Sequence, residues 1–518
     1  MAPETRGWLS GLVVAAVGST ALAIATSTSP FASIDSASFV EQANALVSKG
    51  SLVGTLAPAT HFPPGYPVLL SLGPRSGREA LPFARLLNLG LFFGTLLVVT
   101  WLVAHATGSP LAVWVGGIWA ATSVELLHTF GAVLSEAPYI FAVTAWIALL
   151  SRYLETRRTP LLLLAATAAA SAALIRYVGI ACILAAIPVL LFQRPNARRW
   201  KDALLHSTFA AVPLLVWLLR NQLLTGEPTN RPLELHPPGW AQIGDALEAL
   251  SRWLLPNRIA PAVRVPSFLL ALGLTVWVAL RTTGTRRRNA AGPGAPTAMV
   301  CVCYIAAHFA VVLGTMTFAD ADLGRGSGAF ARLLVPAFLP ALVWTVLVWV
   351  RWRALHARPR PLVLAAGLGL GVLLVVHLAQ GAYNIARLAR DGEGVLSPQW
   401  DRSAVTAFVR GLPENALVYT NGPSAVYLLT GRLVHELPRK EVLVTGEAAP
   451  DYLDGVEEMT RELRRRGGVV VLWDAMSFAY YPSLSELRAL LPLRPEISEA
   501  LGSVHRVAAS DPARTPGS

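Results

Sequence analysis

Four charged side chains stand where apolar stretches of this chain give way to polar ones. Asp35 lies a few residues beyond the first apolar run, Trp8 to Thr28, and Glu136 stands just before the run Pro138 to Leu150. Arg176 interrupts the long run Pro160 to Phe192 at Ile175-Arg176-Tyr177, and Arg332 directly precedes the run Leu333 to Val350. A carboxylate at a membrane–water boundary is placed to take a proton from an acceptor hydroxyl while a lipid-borne donor stays in the bilayer. Asp35 suits that task. It equally suits a helix cap, with Ser38 and Glu41 offering a capping box beside it. Glu136 has the same two readings: burial or a neighbouring cation would tune its ionisation, or it caps the span it precedes. Arg176 and Arg332 stand at headgroup height, where arginines commonly snorkel. Asp320 and Asp322 have the spacing of a cation or sugar ligand pair, and equally that of a solvated loop.

These residues need a membrane-embedded frame, and the composition supplies one. Of the 518 residues 54% are hydrophobic and 14% charged, more apolar surface than a soluble protein hides. The net charge of +12 comes from short Arg-containing clusters between apolar runs, such as Arg286-Arg287-Arg288. Such clusters read as cytoplasmic loops and not as nucleic-acid sites. Cys182, Cys301 and Cys303 fall inside apolar runs and read as membrane-buried thiols without the spacing of a zinc site. The first run lacks a cleavage site and reads as a retained anchor. With the runs at 8–28 and 138–150, the run at 160–192 split into a hairpin at Arg176, and further spans at 81–104, 110–127, 204–219, 265–280, 297–318, 333–350 and 361–380, the chain makes roughly eleven crossings.

The basic loops 152–160, 193–202, 281–296 and 351–360 place the N-terminus inside and the C-terminus outside. Three outer segments are then long: 29–80, 220–264, and the region from about Tyr383. The fold class is therefore mainly α: a polytopic transmembrane helical bundle with a long first outer loop and a small C-terminal α/β domain. Residues 1–382 form the membrane domain, 383–509 the extracytoplasmic domain and 510–518 a disordered tail. In the second unit, Asp401–Arg410, a helix ending at Gly431 and Tyr452–Arg466 read as helices. Ala416–Tyr419 and Gly468–Trp473 read as strands, and the alternation suggests a parallel β-α-β core.

The order of short motifs resembles the type C glycosyltransferases, in particular bacterial members similar to protein mannosyltransferases and lipid A aminoarabinose transferases. The first outer loop opens on Asp35 and closes on His61-Phe62-Pro63-Pro64-Gly65-Tyr66-Pro67. Ser135-Glu136-Ala137-Pro138, Ile175-Arg176-Tyr177-Val178-Gly179 and Arg332-Leu333-Leu334-Val335-Pro336 follow in the family's order. Tyr419-Thr420-Asn421-Gly422-Pro423 through Arg432 resembles an outer-domain motif of one bacterial branch. The chain departs from the pattern in two places: Ser36 replaces a second adjacent carboxylate, and Phe39 replaces an aromatic hydroxyl.

The resemblance implies a membrane glycosyltransferase in the cytoplasmic membrane. It would move a sugar from a polyprenyl-phosphate donor to an extracytoplasmic acceptor (protein, glycan or lipid), with inversion. Asp35 would be the base and Glu136 a second catalytic carboxylate. Arg176, Arg332 and His61 would bind the donor's phosphate or sugar, with a loop contact the other reading of His61. No cofactor or nucleic-acid partner is implied, and no metal ligands are assigned; a divalent cation is admissible, though the missing adjacent carboxylate speaks against it. A base that serves only the acceptor also implies that Asp35→Asn leaves donor binding unchanged. The competing classes are a transporter or flippase, which would show inverted repeats and midplane charges, and a non-catalytic binder of lipid-linked sugar.

Overall fold

The computed structural model describes residues 3–52, 59–73, 80–192, 198–229, 235, 237–284, 294–318, 332–355, 361–442 and 447–507. Arg286, Asp320, Asp322 and the tail from 510 lie outside these residues. In hydrocarbon every backbone polar group must be satisfied within the segment, so apolar runs of this length become helices. Those described here are α1 (Pro3–Ala25), α2 (Ile34–Lys49), α3 (Gly65–Ser71), α4 (Ala80–Thr107), α5 (Pro110–Thr122), α6 (Val124–Gly131), α7 (Glu136–Thr156), α8 (Thr159–Ile175), α9 (Ile180–Leu191), α10 (Arg199–Thr225), α11 (Trp240–Ser251), α12 (Pro261–Gly284) and α13 (Ala295–Phe318). Two more long helices follow, at Arg332–Ala354 and Pro361–Asp391.

Among the described residues, eight helices are long and apolar enough to cross a bilayer, and nine if α5 and α6, bent by 56°, form one broken span. The short apolar helices α8 and the Tyr177–Leu191 stretch occupy the hairpin expected around Arg176. The expected boundary at 382/383 falls inside the Pro361–Asp391 helix, which continues past the last apolar run on charged residues.

The helices are not equally enclosed. In α7 and in the Arg332–Ala354 helix, 78% and 67% of the most apolar window is buried inside the protein, against 17% in α12 and 11% in the last long helix. The peripheral helices keep side chains such as Leu270, Leu368 and Val375 exposed for lipid. Glu136 and Arg332 thus stand at the ends of the two most enclosed helices.

The C-terminal unit is an α/β domain with strands β1 (Leu417–Thr420), β2 (His435–Glu436), β3 (Gly468–Trp473), β4 (Leu493–Glu499) and β5 (Gly502–Val507), in the order β2-β1-β3-β5-β4. β1 pairs in parallel with β2 and β3, as the sequence suggests; β5 and β4 extend the sheet antiparallel. β3 is central and apolar on both faces. Val469, Val471 and Trp473 pack in one core with Val405, Val409 and Leu429, while Val470 and Leu472 pack in the other with Val456, Met459 and Leu463. The β4–β5 hairpin escapes the sequence reading because β4 is an edge strand, Leu-Arg-Pro-Glu-Ile-Ser-Glu, with little apolar alternation.

Candidate active site

A short stretch of backbone pairing brings the two carboxylates together. Phe31 forms a parallel bridge with Ala132, through Phe31 N–H to the Gly131 carbonyl (2.9 Å) and Val133 N–H to the Phe31 carbonyl (2.9 Å). On its other side Ala32 bridges Gly394, and its carbonyl accepts from Val395 N–H at 3.3 Å. The parallel bridge sets both strands running the same way. Asp35 lies four residues after Phe31, and Glu136 four residues after Ala132. Both glycines beside this segment are sterically required. A Cβ on Gly131 would sit 2.3 Å from the Phe31 ring, and one on Gly394, whose φ is +71°, 2.3 Å from the Ala32 carbonyl oxygen.

Asp35 is the second residue of α2, but it does not cap the helix. The N-cap is Ser33, whose N–H donates to Ser36 Oγ at 3.0 Å. The capping alternative therefore yields: α2 begins at Ile34, ahead of Asp35 and of the Ser38–Glu41 capping box. The freed carboxylate accepts from Arg332 Nη2 at 3.0 Å. Arg332 also donates from Nε to Glu136 Oε1 at 2.9 Å, with Nη2 in ion-pair contact with the same oxygen at 2.8 Å. Arg176 closes the cluster: its Nη1 donates to Ser135 Oγ (2.9 Å) and is ion-paired with Glu136 Oε1 at 3.0 Å. One guanidinium is thus shared by both carboxylates, and one carboxylate oxygen by both guanidiniums. The Glu136 side chain is 2% exposed; those of Arg176, Asp35 and Arg332 are 19%, 35% and 38% exposed. The cluster is closed behind and open in front.

Arg176 owes its place to a break between helices. α8 ends at Ile175, Arg176 is extended, and a turn at Tyr177–Gly179 packs back on α8 so closely that a Cβ on Gly179 would meet the Ala172 backbone at 2.3 Å. Gly65 of the His-Phe-Pro-Pro-Gly segment approaches the same helix end, at the Leu174 carbonyl. Tyr177 donates to the Thr60 carbonyl at 3.3 Å, so this turn also anchors the first loop. His61 is exposed, with its ring edge-on to Phe62, which packs on Phe39 of α2. It joins the cluster's surroundings through these rings. Phe39 is buried and packs on Tyr66 as well.

Two polar atoms here are left over. Among the described residues, Glu136 Oε2 and the Tyr66 hydroxyl are buried without a hydrogen-bond partner. Burial, with the Glu136 charge adding to it, pushes the Tyr66 phenol far above its ordinary value, so Tyr66 stays neutral and able to donate. The cluster does not suit a divalent cation, since the Arg332 guanidinium sits between the two carboxylates that would have to hold one. Among the described residues no three His, Cys, Asp or Glu side chains gather as a metal site needs.

Behind Arg332 runs a polar ladder that the sequence reading misses. His308 Nε2 donates to the Leu333 carbonyl (2.8 Å), Tyr304 Oη lies 3.3 Å from His308 Nδ1, and Tyr139 Oη lies 3.1 Å from Tyr304 Oη. A carbonyl only accepts, so Nε2 carries the proton and Nδ1 accepts from Tyr304. The ladder fixes the peptide next to Arg332. Its one sequence signal is a histidine in the middle of the apolar run 297–318.

No family model and no curated relative matches the sequence. Solved structures do. ArnT from Cupriavidus metallidurans in the apo state is similar with a TM-score of 0.64 and 12% identity, over 98% of this chain and 99% of that one. ArnT bound to undecaprenyl phosphate gives 0.62 at 12% identity, over 97% and 98%. The archaeal oligosaccharyltransferase AglB from Archaeoglobus fulgidus, in complex with an inhibitory peptide and a dolichol-phosphate, gives 0.52 at 13% identity, over 97% and 74%. The chain has the fold of these type C glycosyltransferases.

Proposed function

We propose that the protein is a membrane glycosyltransferase that takes a sugar from a polyprenyl-phosphate donor and passes it to a hydroxyl-bearing acceptor on the extracytoplasmic side of the cytoplasmic membrane. The observation that carries this reading is the convergence of Asp35, Glu136, Arg176 and Arg332 from four separate chain segments onto one half-open cluster at the ends of the two most enclosed helices. Structures of proteins with the same fold bound to undecaprenyl phosphate and dolichol-phosphate support the donor class.

The chemistry follows from the positions. The acceptor oxygen attacks the anomeric carbon from the face opposite the phosphate, its proton passes to Asp35, and the bond between that carbon and the phosphate oxygen breaks. The electron pair leaves on polyprenyl phosphate, so configuration inverts and no general acid is required. Arg332 and Arg176 stabilise the charge that develops on the phosphate. Glu136, shut away from solvent and bonded to both guanidiniums, anchors them at a fixed separation. Its role in this reading is positioning rather than proton transfer.

The test is incubation of the purified protein with a panel of polyprenyl-phosphate sugars, following release of polyprenyl phosphate. Release from at least one sugar is expected. No release from any of them, in the presence of cell-envelope acceptor fractions, would remove the enzymatic reading.

A further inference from the structure

The site neutralises itself. Two carboxylates face two guanidiniums, so a phosphate arriving at the cluster meets no net positive charge. The Arg332 Nη2 group that points toward the open side is engaged by Asp35 Oδ2 at 3.0 Å. An anion can settle on that Nη2 group only by exchange with one already there.

The two resident anions differ in how readily they can leave. Glu136 is 2% exposed at its side chain and is ion-paired with both guanidiniums; moving it would strand two cations in a closed setting. Asp35 is 35% exposed and is held by one guanidinium among the described residues. Its helix is capped by Ser33 with Ser36, so the Asp35 side chain can turn away without loosening the start of α2. The exchangeable anion is Asp35.

We propose that Asp35 is an internal stand-in for the donor phosphate on Arg332, so that the lipid phosphate displaces the base and thereby unmasks it. This rests on the reading of the cluster as a polyprenyl-phosphate site. While Asp35 holds Arg332, its Oδ2 is engaged and unavailable to an acceptor hydroxyl. When the phosphate takes over Arg332, Asp35 is released beside the anomeric carbon. Donor therefore binds before the acceptor is activated. After transfer Asp35 carries the acceptor's proton and cannot compete for Arg332. Once that proton goes to water, the carboxylate returns to the guanidinium and helps to expel polyprenyl phosphate.

A base that acts on the acceptor alone would leave lipid-phosphate affinity unchanged when converted to Asn; an anion that occupies Arg332 would not. The experiment is equilibrium binding of undecaprenyl phosphate, without a sugar, to the purified full-length protein in detergent, with undecaprenol as the uncharged control. Asp35→Asn is expected to bind undecaprenyl phosphate roughly fivefold more tightly than wild type, the scale of a half-exposed ion pair, and undecaprenol equally. In an Arg332→Gln background the gain should vanish. Equal or weaker binding by Asp35→Asn, or a gain that persists without Arg332, overturns the exchange. The comparison of wild type with Asp35→Asn decides by itself if Arg332→Gln does not fold. If wild type and Asp35→Asn both bind undecaprenyl phosphate no better than undecaprenol, the polyprenyl-phosphate reading itself falls and the exchange falls with it.

Discussion

The rim of the membrane bundle and the C-terminal domain both carry many charges, and they use them in opposite ways. In the C-terminal domain the ion pairs among the described residues are one-to-one: Arg410 with Asp401, Arg439 with Glu436, Lys440 with Glu486, Arg506 with Glu496. Arg432 spends its guanidinium on the carbonyls of Leu412, Pro413 and Glu414. Asn421 has its whole amide in use, donating to the Trp473 and Met476 carbonyls and accepting from the Trp473 N–H. At the rim one guanidinium serves two carboxylates, and a buried carboxylate oxygen and a tyrosine hydroxyl are left over. Closed pairs hold a fold together; shared and incomplete ones suit a place where a ligand completes the set.

The largest expected effect sits at the shared end of that contrast. Asp35→Asn should lower turnover by a factor of about 100 or more, the usual scale for loss of a general base, while the protein remains folded by thermal unfolding. Near-normal transfer by this variant would reduce Asp35 to one more structural ion pair and erase the difference between the two regions. A smaller effect is expected where the regions meet. Gly394→Ala places a methyl against the Ala32 carbonyl at a φ of +71°; turnover should fall by about tenfold, the direction expected when positioning in a site is disturbed by a fraction of an ångström. Amide exchange in β1 and β3 should remain slow. Loss of that protection together with activity would show that the site and the domain fold as one unit.

The smallest effect belongs to the closed pairs. Glu486 is held down to about 2, from an ordinary 4.5, by its hydrogen bonds from Lys440 and from Ser483. A depressed carboxylate contributes stability above its unfolded value and loses it as pH falls through the folded one. Amide protection around Leu484–Leu490 should therefore weaken between about pH 4.5 and about pH 2. The change should be slight, because the pair is largely open to solvent. Transfer activity should not follow this titration.

The boundary positions of Asp35, Glu136, Arg176 and Arg332 are legible in the sequence because an ionisable residue beside an apolar run is conspicuous. Their meeting is not. It depends on residues 31–32 pairing with 131–133 and 394–395, and Phe-Ala carries no strand signal of its own. The spans are legible for the same reason as the charges: hydrocarbon imposes long uninterrupted apolar runs. The Tyr139–Tyr304–His308 ladder is hidden inside those runs, where a tyrosine reads as apolar bulk until its hydroxyl partner is known. In the C-terminal domain β3 is legible from five consecutive apolar residues, Val469 to Trp473, whereas β4 is made by its partner β5 and not by its own composition.

The bridge at Ala32 also has a mechanical meaning. A covalent route from the C-terminal domain to Asp35 runs back through every long helix that follows α2. The hydrogen bond from Val395 to the Ala32 carbonyl cuts that route to a single contact and three residues of chain. A load applied to the C-terminal domain thus reaches the segment that carries Asp35 directly, without passing along the helices between them.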